Sequence, residues 1–231
     1  MPNNLVRSYG SVIDIHTHTF PYSGDSDLEP AELIEQARAA GLDGICLTEH
    51  DRFWDVRELA GLSAKHNFLV LPGIEVATEE AHLLVFGLER YSFGMHRASF
   101  VRRLVDEADG AIVVAHPYRY FPSNVDPEDP AYYPTLAYAC EDPVFAVADA
   151  VEVANGRATA QQNAFSREIG HRLGLPGCGG SDAHKLSDIG ASATWFENKV
   201  TSLEQFIAEL KGGRFRPALR SGGKGESTRL S

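Results

Sequence analysis

The sequence predicts an α/β protein whose strands are parallel and close, or nearly close, into a barrel. Three observations carry that prediction. Short apolar runs alternate with amphipathic stretches roughly seven times along the chain, and repeated strand-helix alternation implies parallel strands with right-handed crossovers. Histidines and acids gather at or just beyond the C-terminal ends of the predicted strands, the face on which such barrels carry their chemistry. No Gly-rich nucleotide loop follows the first strand, which weighs against a doubly wound open sheet.

The first strand covers Ser11 to Ile15 and runs into Asp14-Ile15-His16-Thr17-His18. Residues i and i+2 of an extended strand share a face, so His16 and His18 can present two imidazoles to one ion, with Asp14 on the same side. Pro30 to Ala40 reads as a helix with Pro in its first turn and Gly41 at its stop. Gly44 to Leu47 is a buried strand ending in Thr48-Glu49-His50-Asp51, and Arg52 to His66 is helical. Phe68 to Leu71 leads to Pro72-Gly73-Ile74-Glu75, and His82 to Phe86 is a further apolar run. Arg97 to Ala108 is an amphipathic helix, followed by a strand at Ala111 to Ala115 that stops at His116-Pro117. Tyr118 to Pro143, rich in Pro, Asp and Tyr, is expected to be an irregular loop or lid. Ala150 to Val153 is strand, Thr159 to Leu173 helix, and Gly177 to Gly180 a small-residue strand entering Ser181-Asp182-Ala183-His184. A strand at Ala193 to Phe196 and a helix at Leu203 to Leu210 complete the set. One domain over residues 1–220 is expected, with a Gly-, Ser- and charge-rich disordered tail over 221–231.

A net charge of −11 argues against a stable complex with nucleic acid or an anionic membrane. No window approaches the ~18 consecutive apolar residues of a membrane span, and Met1 to Gly10 lacks the apolar core of a signal peptide, so the expected location is cytoplasmic. Cys46, Cys140 and Cys178 are odd in number and widely spaced, which fits reduced thiols better than a disulfide frame.

Six of the nine histidines, His16, His18, His50, His82, His116 and His184, lie at strand ends or starts. His66, His96 and His171 fall in helical or loop positions and read as surface or packing residues. Convergent imidazoles without a partner would repel when protonated and be poorly satisfied when neutral, so the set points to metal.

The ordered series His16-Thr-His18, Thr48-Glu-His50-Asp51, Gly73-Ile-Glu75, His82, Ala115-His116-Pro117 and Ser181-Asp182-Ala183-His184 resembles the PHP (polymerase and histidinol phosphatase) family of metal-dependent phosphoesterases. The resemblance spans roughly Val12 to Gly190 and implies a distorted (β/α)7 barrel with two or three divalent ions. It implies His16, His18, Glu75 and Asp182 around one metal, His50, Glu75 and His82 around a second, and His116 and His184 around a third, with Glu75 bridging. The loop Pro21 to Asp27 would supply the last ligand, Asp25 ahead of Asp27. The family more often carries Asp where this chain has Glu49, a longer carboxylate that would support rather than bind.

Mixed imidazole and carboxylate ligands suit Zn, Mn or Fe better than Ca or Mg. Three carboxylates contribute about −3 against roughly +6 from three divalent ions, a residual field that favours an anion such as a phosphate ester. A metal-activated water with its pKa lowered toward ~7 would attack phosphorus in line. Arg119 could hold the phosphate bidentately, or be an exposed loop residue. Glu152-Val-Ala-Asn155-Gly156-Arg157 resembles the Glu-x-x-Asn-Gly segment of related small phosphatases, with Asn155 orienting a ligand or substrate and Arg157 meeting phosphate or solvent; Lys185 is a weaker candidate. Tyr22, Tyr118, Tyr120, Phe121, Tyr132 and Tyr133 could line a nucleoside pocket or pack down on the barrel mouth. Glu75, Asp182, Arg119 and Asn155 are thus the expected catalytic set, and a small phosphorylated metabolite or nucleotide the expected substrate. The alternatives are amidohydrolase-type hydrolysis of C–N or C–O bonds and a non-catalytic metal-binding regulatory module.

Overall fold

A computed structural model describes residues 10–120 and 126–219. The expected tail over 221–231 and Phe121 lie outside the described residues. Ten strands and six α-helices are formed among them, in two five-stranded sheets. The first sheet has the order β10-β9-β1-β2-β3, from Phe215–Leu219, Ser192–Phe196, Ser11–Thr17, Gly44–Leu47 and Leu69–Pro72. The second has the order β4-β5-β6-β7-β8, from Ile74–Ala77, His82–Phe86, Ala111–Val114, Ala150–Asn155 and Gly177–Gly180.

Parallel crossovers hold where the sequence places helices: α1 (Pro30–Ala39) links β1 to β2, α2 (Val56–His66) links β2 to β3, and α5 (Ala160–Leu173) links β7 to β8. Elsewhere the expected (β/α)7 alternation fails. β4 and β5 form an antiparallel hairpin, closed by Thr78 N–H donating to Ala81 O at 3.0 Å. β5 pairs antiparallel with β6 although α3 (Ala98–Glu107) lies between them, and β9 runs antiparallel to both β1 and β10. The described strands therefore do not close into one continuous barrel. Two isolated parallel bridges, Thr17 with Ala183 and His50 with Glu75, lace the sheets together at the ends where the histidines lie.

Alternation of side chains explains the layering. On β5 and β6, Leu83, Val85, Ile112 and Val114 face the helices α3 and α4 (Tyr132–Cys140), whereas Leu84, Phe86, Ala111 and Val113 join Ile13, Ile15, Cys46 and Cys178 in the core between the sheets. A third cluster packs α1 and α2 on β2 and β3 through Leu33, Ile34, Ile45, Leu47 and Leu59. All three cysteines are free.

Two further elements depart from the sequence expectation. The Tyr118 to Pro143 stretch is not wholly irregular: α4 occupies Tyr132–Cys140 and buries Tyr132, Leu136 and Ala139 at helical spacing. Pro134 reads as a loop signal, but Pro is tolerated in a helix's first turn, where its missing N–H has no partner to lose. β10 was hidden by Pro217, which an edge strand accommodates.

Candidate metal centre

Glu75 is the hub of the site. It sits on β4, is almost fully buried, and meets five imidazoles. Its Oε1 lies 2.8 Å from both His82 Nδ1 and His116 Nε2. Its Oε2 lies 2.9 Å from His50 Nδ1, 3.3 Å from His18 Nε2 and 3.5 Å from His16 Nε2. Asp182 closes the inner corner, with Oδ1 3.5 Å from His18 Nε2 and 3.7 Å from His16 Nε2. Asp25 closes the outer one, with Oδ2 3.1 Å from His184 Nε2 and 3.4 Å from His50 Nε2. Asp27, the alternative loop acid, is exposed and touches His184 only through its backbone.

The backbone is shaped to deliver these side chains. Gly180 is required because an added Cβ would stand 2.5 Å from His16 Cβ and 2.8 Å from Glu152 Oε1, so β8 could not approach β1. His116 at φ 29° and Asp182 at φ 56° adopt the left-handed region that L-residues avoid, and fixed hydrogen bonds hold them there. His116 N–H donates to Glu152 Oε2 at 2.8 Å, and Asp182 N–H to His16 O at 2.8 Å.

Three buried atoms, His16 Nε2, His18 Nε2 and Glu75 Oε2, have no hydrogen-bond partner although they converge. Leaving such atoms unpaired costs free energy, and a cation satisfies all three at once. Their separations also fit: ligands bound at ~2.0–2.1 Å around a tetrahedral ion stand ~3.3–3.5 Å apart. Four groups of side chains can each converge on an ion: His16, His18 and Glu75; His16, His116 and Asp182; Glu75, His82 and His116; and His18, His50 and His184. The groups overlap and do not reproduce the expected partition: His50 keeps its expected contact with Glu75 at 2.9 Å but also groups with His18 and His184, and His116 groups both with His16 and Asp182 and with Glu75 and His82.

Charge and burial compete throughout the cluster. Burial works against a charge on His16, but Glu152, Asp182 and Glu75 outweigh it and hold its pKa well above the ordinary value. Burial pushes His18 down to about 3. Glu75 is likewise opposed by burial, yet His16 and the close imidazoles of His116 and His50 keep it well below the usual carboxylate range. Asp14 is pushed up to about 7 by burial, against the hydrogen bond from Ser181 N–H at 2.9 Å.

Arg119 and Arg157 both reach the site over Asp182. Arg119 Nη2 pairs with Asp182 Oδ2, and Arg157 Nη1 lies 3.9 Å from Oδ1 and 3.0 Å from His184 Nδ1. Asn155 is committed inside the protein: Nδ2 donates to Glu152 Oε2 at 3.0 Å and Asp182 Oδ2 at 3.3 Å, and Oδ1 accepts Arg157 N–H at 3.0 Å. It braces Asp182 from behind. Lys185 is exposed. Tyr118 is buried, Tyr120 accepts His82 N–H at 2.8 Å, and both belong to the wall of the site. Tyr22 packs edge-on against Trp54, Tyr132 against Phe165, and Tyr133 points to solvent, so these three line no common pocket with the histidines.

The PHP domain model matches residues 14–124, and the PHP-associated model matches residues 160–215. This chain belongs to the PHP family. No curated protein matches it. Among solved structures it resembles a protein from Bacteroides vulgatus with two domains, one a predicted PHP-like metal-dependent phosphoesterase (TM-score 0.64, 18% identity, 91% of this chain and 65% of that one). It also resembles a candidate metal-dependent phosphoesterase from Bifidobacterium adolescentis (TM-score 0.55, 19% identity, 75% and 87%). A third is an amidohydrolase from Chromobacterium violaceum solved with bound sulfate and no metal (TM-score 0.54, 19% identity, 77% and 89%). At these identities the likeness is one of fold.

Sequence reasoning gave no role to Glu152, which is fully buried and holds His16 Nδ1 at 3.1 Å as well as His116 N–H. The signal was present, since Glu152 opens the Glu-x-x-Asn-Gly segment. Ser23 and Trp54 were also missed, and nothing in their local sequence marks them.

Proposed function

We propose that this PHP protein is a metal-dependent phosphoesterase that hydrolyses an ester of a small phosphorylated metabolite or nucleotide at a site of two or three Zn, Mn or Fe ions. The observation that carries the reading is the convergence of His16 Nε2, His18 Nε2 and Glu75 Oε2, buried and without hydrogen bonds, beside two arginines. His16, His18, Glu75 and Asp182 would hold the inner ion, Glu75, His82 and His116 a second, and Asp25, His50 and His184 a third. When bound, such ions supply Lewis acidity toward phosphoryl oxygens and lower the pKa of water to ~7.

The chain's own groups divide the remaining work. Glu75 spans two ligand sets, Oε1 toward His82 and His116 and Oε2 toward His16 and His18, and so fixes their spacing. Glu152 keeps the His16 proton on Nδ1, leaving Nε2 as a donor of electrons. Arg119 and Arg157 present guanidinium N–H groups where a phosphoryl group would carry charge, and Arg is suited to bidentate oxyanion contacts. Asn155 and Arg119 hold Asp182 still.

The two laced sheets of the described residues are an opened form of a distorted (β/α)7 barrel. No helix among the described residues is long and apolar enough to cross a membrane. The net charge of −11 favours a small substrate over nucleic acid, and buried free Cys46 and Cys178 fit a cytoplasmic setting. The likeness to an amidohydrolase fold supports a second reading, C–N hydrolysis, which the paired arginines favour less. Metal analysis followed by parallel assays of phosphate release from aryl and nucleotide esters and of amide cleavage separates the two. Phosphate release dependent on added Mn, Zn or Fe is expected. Amide cleavage alone, or absence of any transition metal and activity after reconstitution, overturns the proposal.

A further inference from the structure

Behind the candidate ligands lies a buried carboxylate that touches none of the positions an ion would take. Glu49 is fully buried at the end of β2, and its two oxygens accept Thr19 N–H at 3.1 and 2.9 Å. It also accepts the Thr19 hydroxyl, the Ser23 hydroxyl and, at 2.9 Å, the indole N–H of Trp54. Every neighbour is a donor, so Glu49 acts purely as an acceptor, and the single hydroxyl proton of Ser23 points at it.

That assignment fixes the next one. Ser23 Oγ has only lone pairs left for its other neighbours, His50 N–H at 3.4 Å and His18 Nδ1 at 3.3 Å. A backbone N–H is always a donor, and His18 Nδ1 must be one as well. An imidazole carrying its proton on Nδ1 offers a lone pair at Nε2. His18 Nε2 is the buried atom without a hydrogen bond that faces Glu75 Oε2 at 3.3 Å and Asp182 Oδ1 at 3.5 Å.

From this proton inventory we infer that Glu49 and Ser23 are positioning residues, a relay that locks His18 in its Nδ1–H tautomer and so reserves Nε2 for a metal ion. The inference rests on the reading of the site as a metal centre. The opposite tautomer would let Nε2–H donate to Glu75 or Asp182, a state content without metal. The relay works against that state by leaving no donor for an unprotonated Nδ1. Glu49 thereby reaches the centre through Ser23 without contacting it, and it ties the loop carrying Asp25 to the strand end carrying His50.

Two variants test the relay. Ser23→Ala removes the acceptor of the Nδ1 proton. Glu49→Gln keeps the shape but gives Ser23 a donating amide, which frees the hydroxyl proton to turn toward His18. Long-range 1H–15N NMR of the metal-free protein reads the tautomer directly, and competition with a chromophoric chelator reads Zn affinity without any activity assay. Wild type is expected to show Nδ1–H at His18, both variants to gain Nε2–H, and the inner Zn that His18 would hold to bind ~10–100-fold less tightly. Thr19→Val removes a Glu49 contact that does not lead to His18, and its His18 tautomer is expected to match wild type. His18 in the Nε2–H form in wild type, an unchanged tautomer in whichever variants fold, or Zn affinities within about twofold of wild type overturn the relay. Failure of wild type to bind any Zn, Mn or Fe overturns the metal reading instead, and the tautomer of the metal-free protein still decides the relay.

Discussion

His16 and His18 are fully buried, and each is held from behind by a residue that is not itself a candidate ligand, Glu152 for the first and Ser23 for the second. On the outer side, His50 and His82 are 36% and 33% exposed, and Asp25 is 58% exposed. There His50 and Asp25 meet chiefly each other and His184 or Glu75. One corner is therefore preorganised by the protein, the other by its own ligands. The contrast teaches that ions at the two corners should differ in retention: the inner ligands keep their geometry without metal, whereas the outer ones lose their main tie when it leaves.

The largest effect is expected from Glu75→Gln, because this one carboxylate serves both corners. Metal content measured by mass spectrometry should fall by more than one ion, and kcat/KM by more than the ~100-fold that loss of a supporting partner costs. A full complement of ions in that variant would erase the idea of a shared bridge. Next, Asp25→Ala and Glu152→Gln should separate the corners. The first should release only the most readily chelated ion. The second should leave stoichiometry intact at saturating metal but weaken the tightest ion ~10–100-fold, read by chelator competition. Equal behaviour of the two variants would end the comparison.

The smallest effect is on the pH dependence of the metal-free protein. Unfolded His18 takes up a proton below ~6.5, but burial keeps the folded imidazole neutral down to about 3. The unfolded state thus binds more protons in that window, and stability falls as pH drops through it. Glu75, held below its ordinary value, adds a loss in the same direction below ~4.5. His16 opposes them, since its raised pKa gives stability that is complete below ~6.5 and is lost as pH rises through the folded value. Urea midpoints at pH 7 and 5 should therefore drop more steeply for wild type than for His18→Gln; parallel slopes would contradict the buried, unprotonated His18.

Much of this architecture was legible in the chain. Gly44–Leu47, His82–Phe86 and Gly177–Gly180 are strands with the bounds their apolar or small-residue runs indicate, and every histidine at a strand end lies in the cluster. α4 and β10 were not, because each contains a proline whose local signal is overruled by position: the first turn of a helix for Pro134, a sheet edge for Pro217. The antiparallel hairpin at β4 and β5 was also hidden, since its Thr78 to Ala81 turn lacks the usual Gly or Asn.

What the sequence determined by itself was the placing of His16 and His18 on one face and of the other imidazoles at strand ends, because strand period and strand ends are local properties. Tertiary structure decided the rest. Only the approach of β8 to β1 at Gly180 brings Glu152 behind His16, and only the fold of the Phe20 to Asp27 loop puts Ser23 between Glu49 and His18. It also decided that His50 stands between Glu75 and the Asp25–His184 pair, and that His116 and His82 share Glu75 Oε1. Such partnerships join residues up to 159 positions apart, and no local propensity encodes a contact made across that distance.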